Sequence, residues 1–223
     1  MRTAIVLFAR SPEREAAEKR MRFAAPLFRA LVASWLDAAR RHGATPVVAC
    51  AAADRDALAS IAPDIEREWL EQRGATFGER AARASVDAFA RGFDAIVLAA
   101  IDAPPRDLGE IFASLERGVP AISPSRDGGI NCIALLAPEP DLLVQFTPRR
   151  RDLVQLCARH LAQVAIVRGT IDVDDERALA IAKRDRAWRA FFAQAPAAQP
   201  RNRATVQPGH TLHRPSRAPP ANV

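Results

Sequence analysis

Long hydrophobic runs are missing from this sequence: no segment of the 223-residue chain approaches the roughly 18 continuous apolar residues of a membrane-spanning helix. Membrane insertion is therefore not expected. A single Arg2 precedes the first short apolar run and no small-residue cleavage site follows it, so export is not expected either. Cysteine is scarce. Cys50, Cys132 and Cys157 are odd in number, far apart and set in apolar or helical contexts, which argues against a disulfide framework and fits reduced thiols in a cytoplasmic protein. Lysine occurs only at positions 19 and 183 beside abundant Arg and Ala, which reads as codon bias. A catalytic serine elbow, paired Cys ligands, an HExxH helix and both phosphate-binding glycine motifs are also lacking. Nucleophilic and zinc chemistry therefore have little to stand on.

What is present divides into a body and a tail. The net charge is +6, but residues 195–223 carry Arg201, Arg203, Arg214 and Arg217 with no acid, so the remainder is near neutral at +2. That distribution, without an aromatic-rich RNA-binding strand, argues against a nucleic-acid groove. Residues 1–194 are expected to form one α/β domain and residues 195–223, rich in Pro, Ala and Arg, a disordered tail. His210 and His213 fall in that tail and make a poor metal site.

Ala95–Ile101 is an unbroken apolar run stopped by Pro104 and Pro105, and it reads as a central parallel strand covered on both faces. Asp102 follows at its carboxyl end, the edge where open α/β sheets bind ligands. Thr3–Phe8 reads as a first strand, followed by a polar loop from Ala9 to about Arg22. The spacing of Leu27, Phe28, Leu31, Val32, Trp35, Leu36 and Ala39 predicts a helix over 26–41. Strands are expected at 46–50, 119–124, 131–136 and 164–167, and a helical or irregular piece at 65–73. Further helices are expected at 54–60, up to Arg91, at 107–116, at 152–160, and as one long segment over 175–192, with a loop across the ligand edge at 137–150. This alternation predicts a doubly wound, mostly parallel sheet with helices on both faces.

Three acidic turns, at Asp102, Asp127-Gly128-Gly129 and Asp172-Val173-Asp174, should share the ligand edge. Each also has an ordinary reading: Asp102 as a helix cap, Asp127-Gly128 as a hairpin turn, Asp172 and Asp174 as first-turn acids. Carboxylates together suit Mg²⁺, a hard cation that keeps substrate phosphates among its ligands, and Arg and Lys opposite would complete a triphosphate site. The chemistry indicated is phosphoryl or nucleotidyl transfer.

Phe8-Ala-Arg-Ser-Pro12 with Lys19-Arg-Met21, then Phe77-Gly-Glu-Arg80, Ile101-Asp-Ala-Pro104, Asp127-Gly-Gly129 and Asp172-Val-Asp174, resemble in their order the MobA-like nucleotidyltransferases. The opening loop and Phe77–Arg80 look like a glycosyltransferase-like branch tied to arsenosugar biosynthesis. Asp127-Gly-Gly-Ile-Asn131, with Phe146 and His160, is similar to the 2-phospholactate guanylyltransferases of deazaflavin coenzyme synthesis. The resemblance implies a glycosyltransferase-A-like fold, as in nucleotide-diphospho-sugar transferases, with a Mg²⁺ site at Asp102, Asp174 and Asp172. It implies nucleotide contacts at Phe8, Ala9, Arg10, Gly78 and Arg80, acceptor contacts at Asp127, Gly128, Gly129 and Asn131, and catalytic charge neutralisation by Lys19 and Arg20 beside Asp102. The implied reaction moves NMP from an NTP (GTP or CTP, with GTP first) to a small phosphorylated acceptor and releases pyrophosphate. A sugar-nucleotide glycosyltransferase is the rival. Glu15 and Glu18 stand where family loops commonly carry a glycine and a lysine, so Lys19 must substitute by a one-residue slip. Without that slip the chain reads as a non-catalytic nucleotide-binding or scaffold protein.

Overall fold

The computed structural model describes residues 1–147 and 150–194. In chain order the elements are β1 (Thr3–Phe8), α1 (Pro12–Glu18), α2 (Ala25–Arg41), β2 (Thr45–Cys50), α3 (Arg55–Ala59) after a short 3-10 turn, β3 (Glu68–Glu71), α4 (Phe77–Ala90) and β4 (Ala95–Ala100). They continue with α5 (Leu108–Glu116), β5 (Ala121–Pro124), β6 (Ile130–Leu135), α6 (Pro140–Leu143), α7 (Leu153–His160), β7 (Ala165–Ile166), α8 (Glu176–Ala182) and α9 (Arg186–Gln194). The strands form one seven-stranded sheet in the order β3-β2-β1-β4-β6-β5-β7. Only β6 runs against its neighbours, antiparallel to both β4 and β5, so the expected mostly parallel sheet is present.

Why β1 and β4 lack polar alternation is visible in their two faces. Ile5, Leu7, Val97 and Ala99 point into a layer with α2 and α5, through Val32, Trp35, Leu36, Ile111 and Leu115. Ala4, Val6, Ile96 and Leu98 point into the opposite layer with α4, α6 and α7, through Ala84, Ala88, Leu142 and Leu156. A strand covered on both sides buries every residue, which is the physical content of a continuous apolar run. A third cluster packs Ala16 and Met21, from α1 and the turn after it, and Phe28 and Leu31 of α2 against Val173, Trp188 and Phe191. No described helix is long and apolar enough to cross a membrane.

Three local expectations are corrected. Ala9–Arg22 is not a loop throughout: Pro12 opens α1, whose Glu15 and Ala16 face inward. Residues 65–73 contain the edge strand β3, which pairs in parallel with β2 from Val47↔Glu68 to Cys50↔Glu71. The single helix expected over 175–192 is two, because the Asp185 carboxylate accepts from the Ala187 and Trp188 N–H groups and from the Thr170 hydroxyl, capping α9 afresh. The 137–150 loop carries α6, and its Pro148 and Arg149 lie outside the described residues, as does the tail expected at 195–223.

Helix α4 shows why Phe77-Gly-Glu-Arg80 folds as it does. The Thr76 hydroxyl oxygen accepts from Glu79 N (3.1 Å) while Glu79 Oε2 accepts from Ala75 N (2.8 Å), a near capping box. Gly78 lies directly under the carbonyls of Leu143 and Val144, where a Cβ would collide with backbone. Gly78→Ala should therefore lower stability by about 1–3 kcal/mol through overpacking, read as a drop in melting temperature. An unchanged melting temperature with lost ligand binding would contradict the packing role.

Candidate functional site

At the carboxyl edge of the sheet a cavity of about 380 Å³ opens between the ends of β1, β4 and β6, the end of α1 and the start of α4. Phe8, Phe77, Leu98, Ile133 and Phe146 line its inner part, with Phe8 and Phe77 edge to face at 5.8 Å. Its mouth is ringed by charge.

The acidic turns meet there. Carboxylate oxygens of Asp102, Asp172 and Asp174 lie within 4.8 Å of one another. Backbone and side-chain bonds hold the turns together: Val173 N donates to Asp102 O (2.9 Å), and Asn131 Nδ2 donates to Pro124 O (2.9 Å) and Thr170 O (3.1 Å). Ser125 Oγ donates to Asp172. Two buried tryptophans brace these turns from behind. Trp35 Nε1 donates to Ala103 O (2.8 Å), next to Asp102, and Trp188 Nε1 donates to Ile171 O (2.8 Å), next to Asp172. Asp102 does not cap a helix, since α5 begins at Leu108 and Asp107 occupies the cap with a left-handed backbone. The Asp127 reading as a hairpin turn is present in the β5–β6 connection, where its Oδ1 accepts from Gly129 N (2.9 Å).

The Lys19 ammonium sits among the acids. Its Nζ is 2.6 Å from Asp174 Oδ1, 3.0 Å from Asp102 Oδ2 and 3.6 Å from Glu15 Oε1, and it donates to Val173 O at 2.9 Å. Burial alone would lower its pKa, but the charges of Asp102, Asp174 and Glu15 outweigh it and hold Lys19 above its ordinary value. Burial raises the pKa of Glu15, against the pull of Lys19 and Arg10. Arg10 pairs with that same Glu15 (3.2 Å), so Glu15 lines the cavity wall with two cations, Arg10 and Lys19, against it. Glu18 is exposed at the rim.

Asp172 is pushed up from 3.8 by burial first, with the charges of Asp102 and Asp174 adding and the Ser125 hydrogen bond opposing. A carboxyl whose pKa is raised by folding contributes most stability when protonated, and loses that contribution as pH rises from its unfolded value through its folded one. Asp172→Asn mimics the protonated form and still accepts from Ser125. In metal-free protein it should raise the melting temperature at neutral pH and leave it unchanged in acid below that window; a neutral-pH loss would contradict the burial argument.

The other candidate residues divide. Phe8, Ala9, Arg10, Arg80, Asp127, Gly129 and Asn131 line the cavity. Arg80 reaches only the carbonyls of Gly74 (3.5 Å) and Ala75 (3.4 Å) among the described residues, and Asp127 pairs with Arg151. Arg20, Gly78 and Gly128 lie outside the lining. Arg20 is turned to solvent with φ 52, Gly78 packs beneath α6, and Gly128 has φ 92 and backs onto the Arg151 carbonyl. Sequence reasoning missed Ser125, the two indole braces and Gln72, whose Nε2 bridges Ala49 O (2.7 Å) and Ala9 O (3.4 Å) on the cavity wall. Burial pushes the Cys50 thiol up to about 11 and those of Cys132 and Cys157 up to about 12, so all three stay protonated and inert at neutral pH.

A site of this build is found on a fold known from solved structures. A protein from Desulfovibrio desulfuricans G20 described as a candidate nucleotide-diphospho-sugar transferase superposes with a TM-score of 0.69 at 22% identity, covering 86% of this chain and 95% of its own. The 4-diphosphocytidyl-2C-methyl-D-erythritol synthase of Anaerococcus prevotii gives 0.55 at 11% identity, covering 81% and 96%. The Rv0371c homolog of Mycobacterium sp. strain JC1 gives 0.55 at 16% identity, covering 86% and 99%. The fold is that of the nucleotide-diphospho-sugar transferases. No curated protein matches in sequence. Residues 35–147, just over half of the chain, match the family model described as "Uncharacterized protein conserved in bacteria (DUF2064)".

Proposed function

The chain belongs to the DUF2064 family, and on that premise we propose that it is a nucleotide-dependent transferase that moves NMP from an NTP, GTP first, to a small phosphorylated acceptor. The observation that carries this reading is the convergence of Asp102, Asp172 and Asp174 with Lys19, Arg10 and Arg80 around one cavity at the sheet's carboxyl edge. In general such an edge receives nucleotides because strand-to-helix turns present backbone amides there.

The donor set fits a hard divalent cation: three carboxylates, no sulfur and no imidazole. Asp102, Asp172 and Asp174 would hold Mg²⁺, whose charge would offset that of phosphoryl oxygens in the transition state. The protein's own groups do the rest. Arg10 and Arg80 neutralise the polyphosphate from the β1 and α4 sides. The Asp127–Asn131 hairpin orients the acceptor, whose phosphate oxygen attacks the α-phosphorus as the bond to the leaving pyrophosphate breaks. The apolar part of the cavity lining around Phe8, Phe77 and Leu98 accommodates the base. Three buried cysteines, none paired in a disulfide, suit a reducing, cytoplasmic setting.

Incubation of the full chain with GTP or CTP, Mg²⁺ and phosphorylated acceptors should release pyrophosphate. The D. desulfuricans structure, by its description, favours glycosyl transfer as the second reading, and release of free NDP from a sugar nucleotide would select it. Calorimetric silence toward GTP, CTP and UDP-sugars with Mg²⁺ would sink both.

A further inference from the structure

Lys19 and a divalent cation would draw on the same acid cluster. An ammonium has three protons, and here they meet three acceptors within bonding distance, Asp174 Oδ1, Val173 O and Asp102 Oδ2, so none is left for a phosphate. Two of those acceptors are carboxylates of the same triad that suits a divalent ion. The Lys19 side chain is only 10% exposed and is backed by Glu15 one helical turn earlier; Asp102 is 21% exposed and Asp174 60%, so water screens the Asp174 contact but little of the Lys19–Asp102 pair. A cation placed on Asp102 and Asp174 would meet this fixed positive charge at contact distance, where like charges repel strongly.

We propose that Lys19 is a resident cation that competes with the divalent ion for Asp102 and Asp174, so that the resting protein resists metal loading until an anionic ligand draws the ammonium away. Metal and polyphosphate then bind together, and the ammonium that leaves the carboxylates becomes the one that meets the phosphates. The metal half of this inference rests on Lys19 alone; the polyphosphate half rests on the transferase reading.

Mn²⁺ titrations of metal-free protein, followed by the electron paramagnetic resonance of the free ion and without nucleotide, separate the two halves. A binding-competent state present in one molecule of ten weakens apparent affinity tenfold, so Lys19→Met should bind Mn²⁺ about tenfold or more tightly than wild type. Lys19→Arg keeps the positive charge and should stay near wild type. Equal affinity in wild type and Lys19→Met overturns the proposal. If Lys19→Met fails to fold, the wild-type chain decides by itself, because with only Lys19 and Lys183 present the Nζ resonance of Lys19 can be followed directly. Mg²⁺ alone should leave that resonance in place, and Mg²⁺ with inorganic pyrophosphate should move it; displacement by Mg²⁺ alone overturns the competition. Should GTP bind to no form of the protein while Lys19→Met still gains Mn²⁺, the exchange stands and the transferase reading falls.

Discussion

Asp102→Asn should weaken Mg²⁺-supported nucleotide binding about a hundredfold or more, since changes one shell further out from a metal already cost ten- to a hundredfold. Asn preserves shape but removes the charge that Lys19 Nζ and a divalent ion would both use. The fold should survive. The tie between the turns runs from Val173 N to the backbone oxygen of Asp102, and α5 begins beyond it at Leu108. Calorimetry with GTP and Mg²⁺, paired with a thermal melt, reads both consequences. Unchanged binding with a lowered melting temperature would assign Asp102 a structural role alone.

Trp35→Ala should cost about 3–5 kcal/mol, the range for emptying a large aromatic from a core, which is much of the roughly 5–15 kcal/mol that holds a domain folded. Trp35 is 1% exposed in the layer beneath β1 and β4. Its loss also frees the carbonyl of Ala103, itself fully buried, from its only indole donor. Trp35→Phe isolates that second effect: it keeps most of the packing and should cost about 1–3 kcal/mol for the unmade hydrogen bond. Because Ala103 adjoins Asp102, the Phe variant should also bind nucleotide with Mg²⁺ more weakly. Denaturant melts give the stability loss, and the same calorimetry gives the binding loss; a Phe variant stable and binding as wild type would remove the brace.

The sheet was legible because its strands are buried on both faces. Ala95–Ala100 and Thr3–Phe8 announce themselves as apolar runs, and α2 by the spacing of Leu31, Trp35 and Leu36. The turns were legible for a similar reason: Asp102 follows a strand directly, and chain order carries a strand's carboxyl end to the ligand edge. Less legible was anything set by a distant partner. The strand β3 has little apolar signal of its own in Glu68-Trp-Leu-Glu71 and exists because β2 offers a free edge. The break between α8 and α9 depends on Asp185 meeting Thr170, fifteen residues earlier. Phe77–Arg80 looked like ligand-binding chemistry, yet a cap at Thr76 and the contact of Gly78 with α6 each give the pattern a structural cause. Ser125 and Trp188 gave no warning, since a hairpin serine and a helical tryptophan look ordinary until the fold sets them beside Asp172.

The pair of indoles has an optical consequence. Of three tryptophans in the chain, two end in a hydrogen bond to the carbonyl flanking an acidic turn, and the third, Trp69, lies away on the edge strand β3. Indole emission follows the local field, so the arrival of charge at those turns is written into the protein's own fluorescence, and a dye-free spectrum reports it.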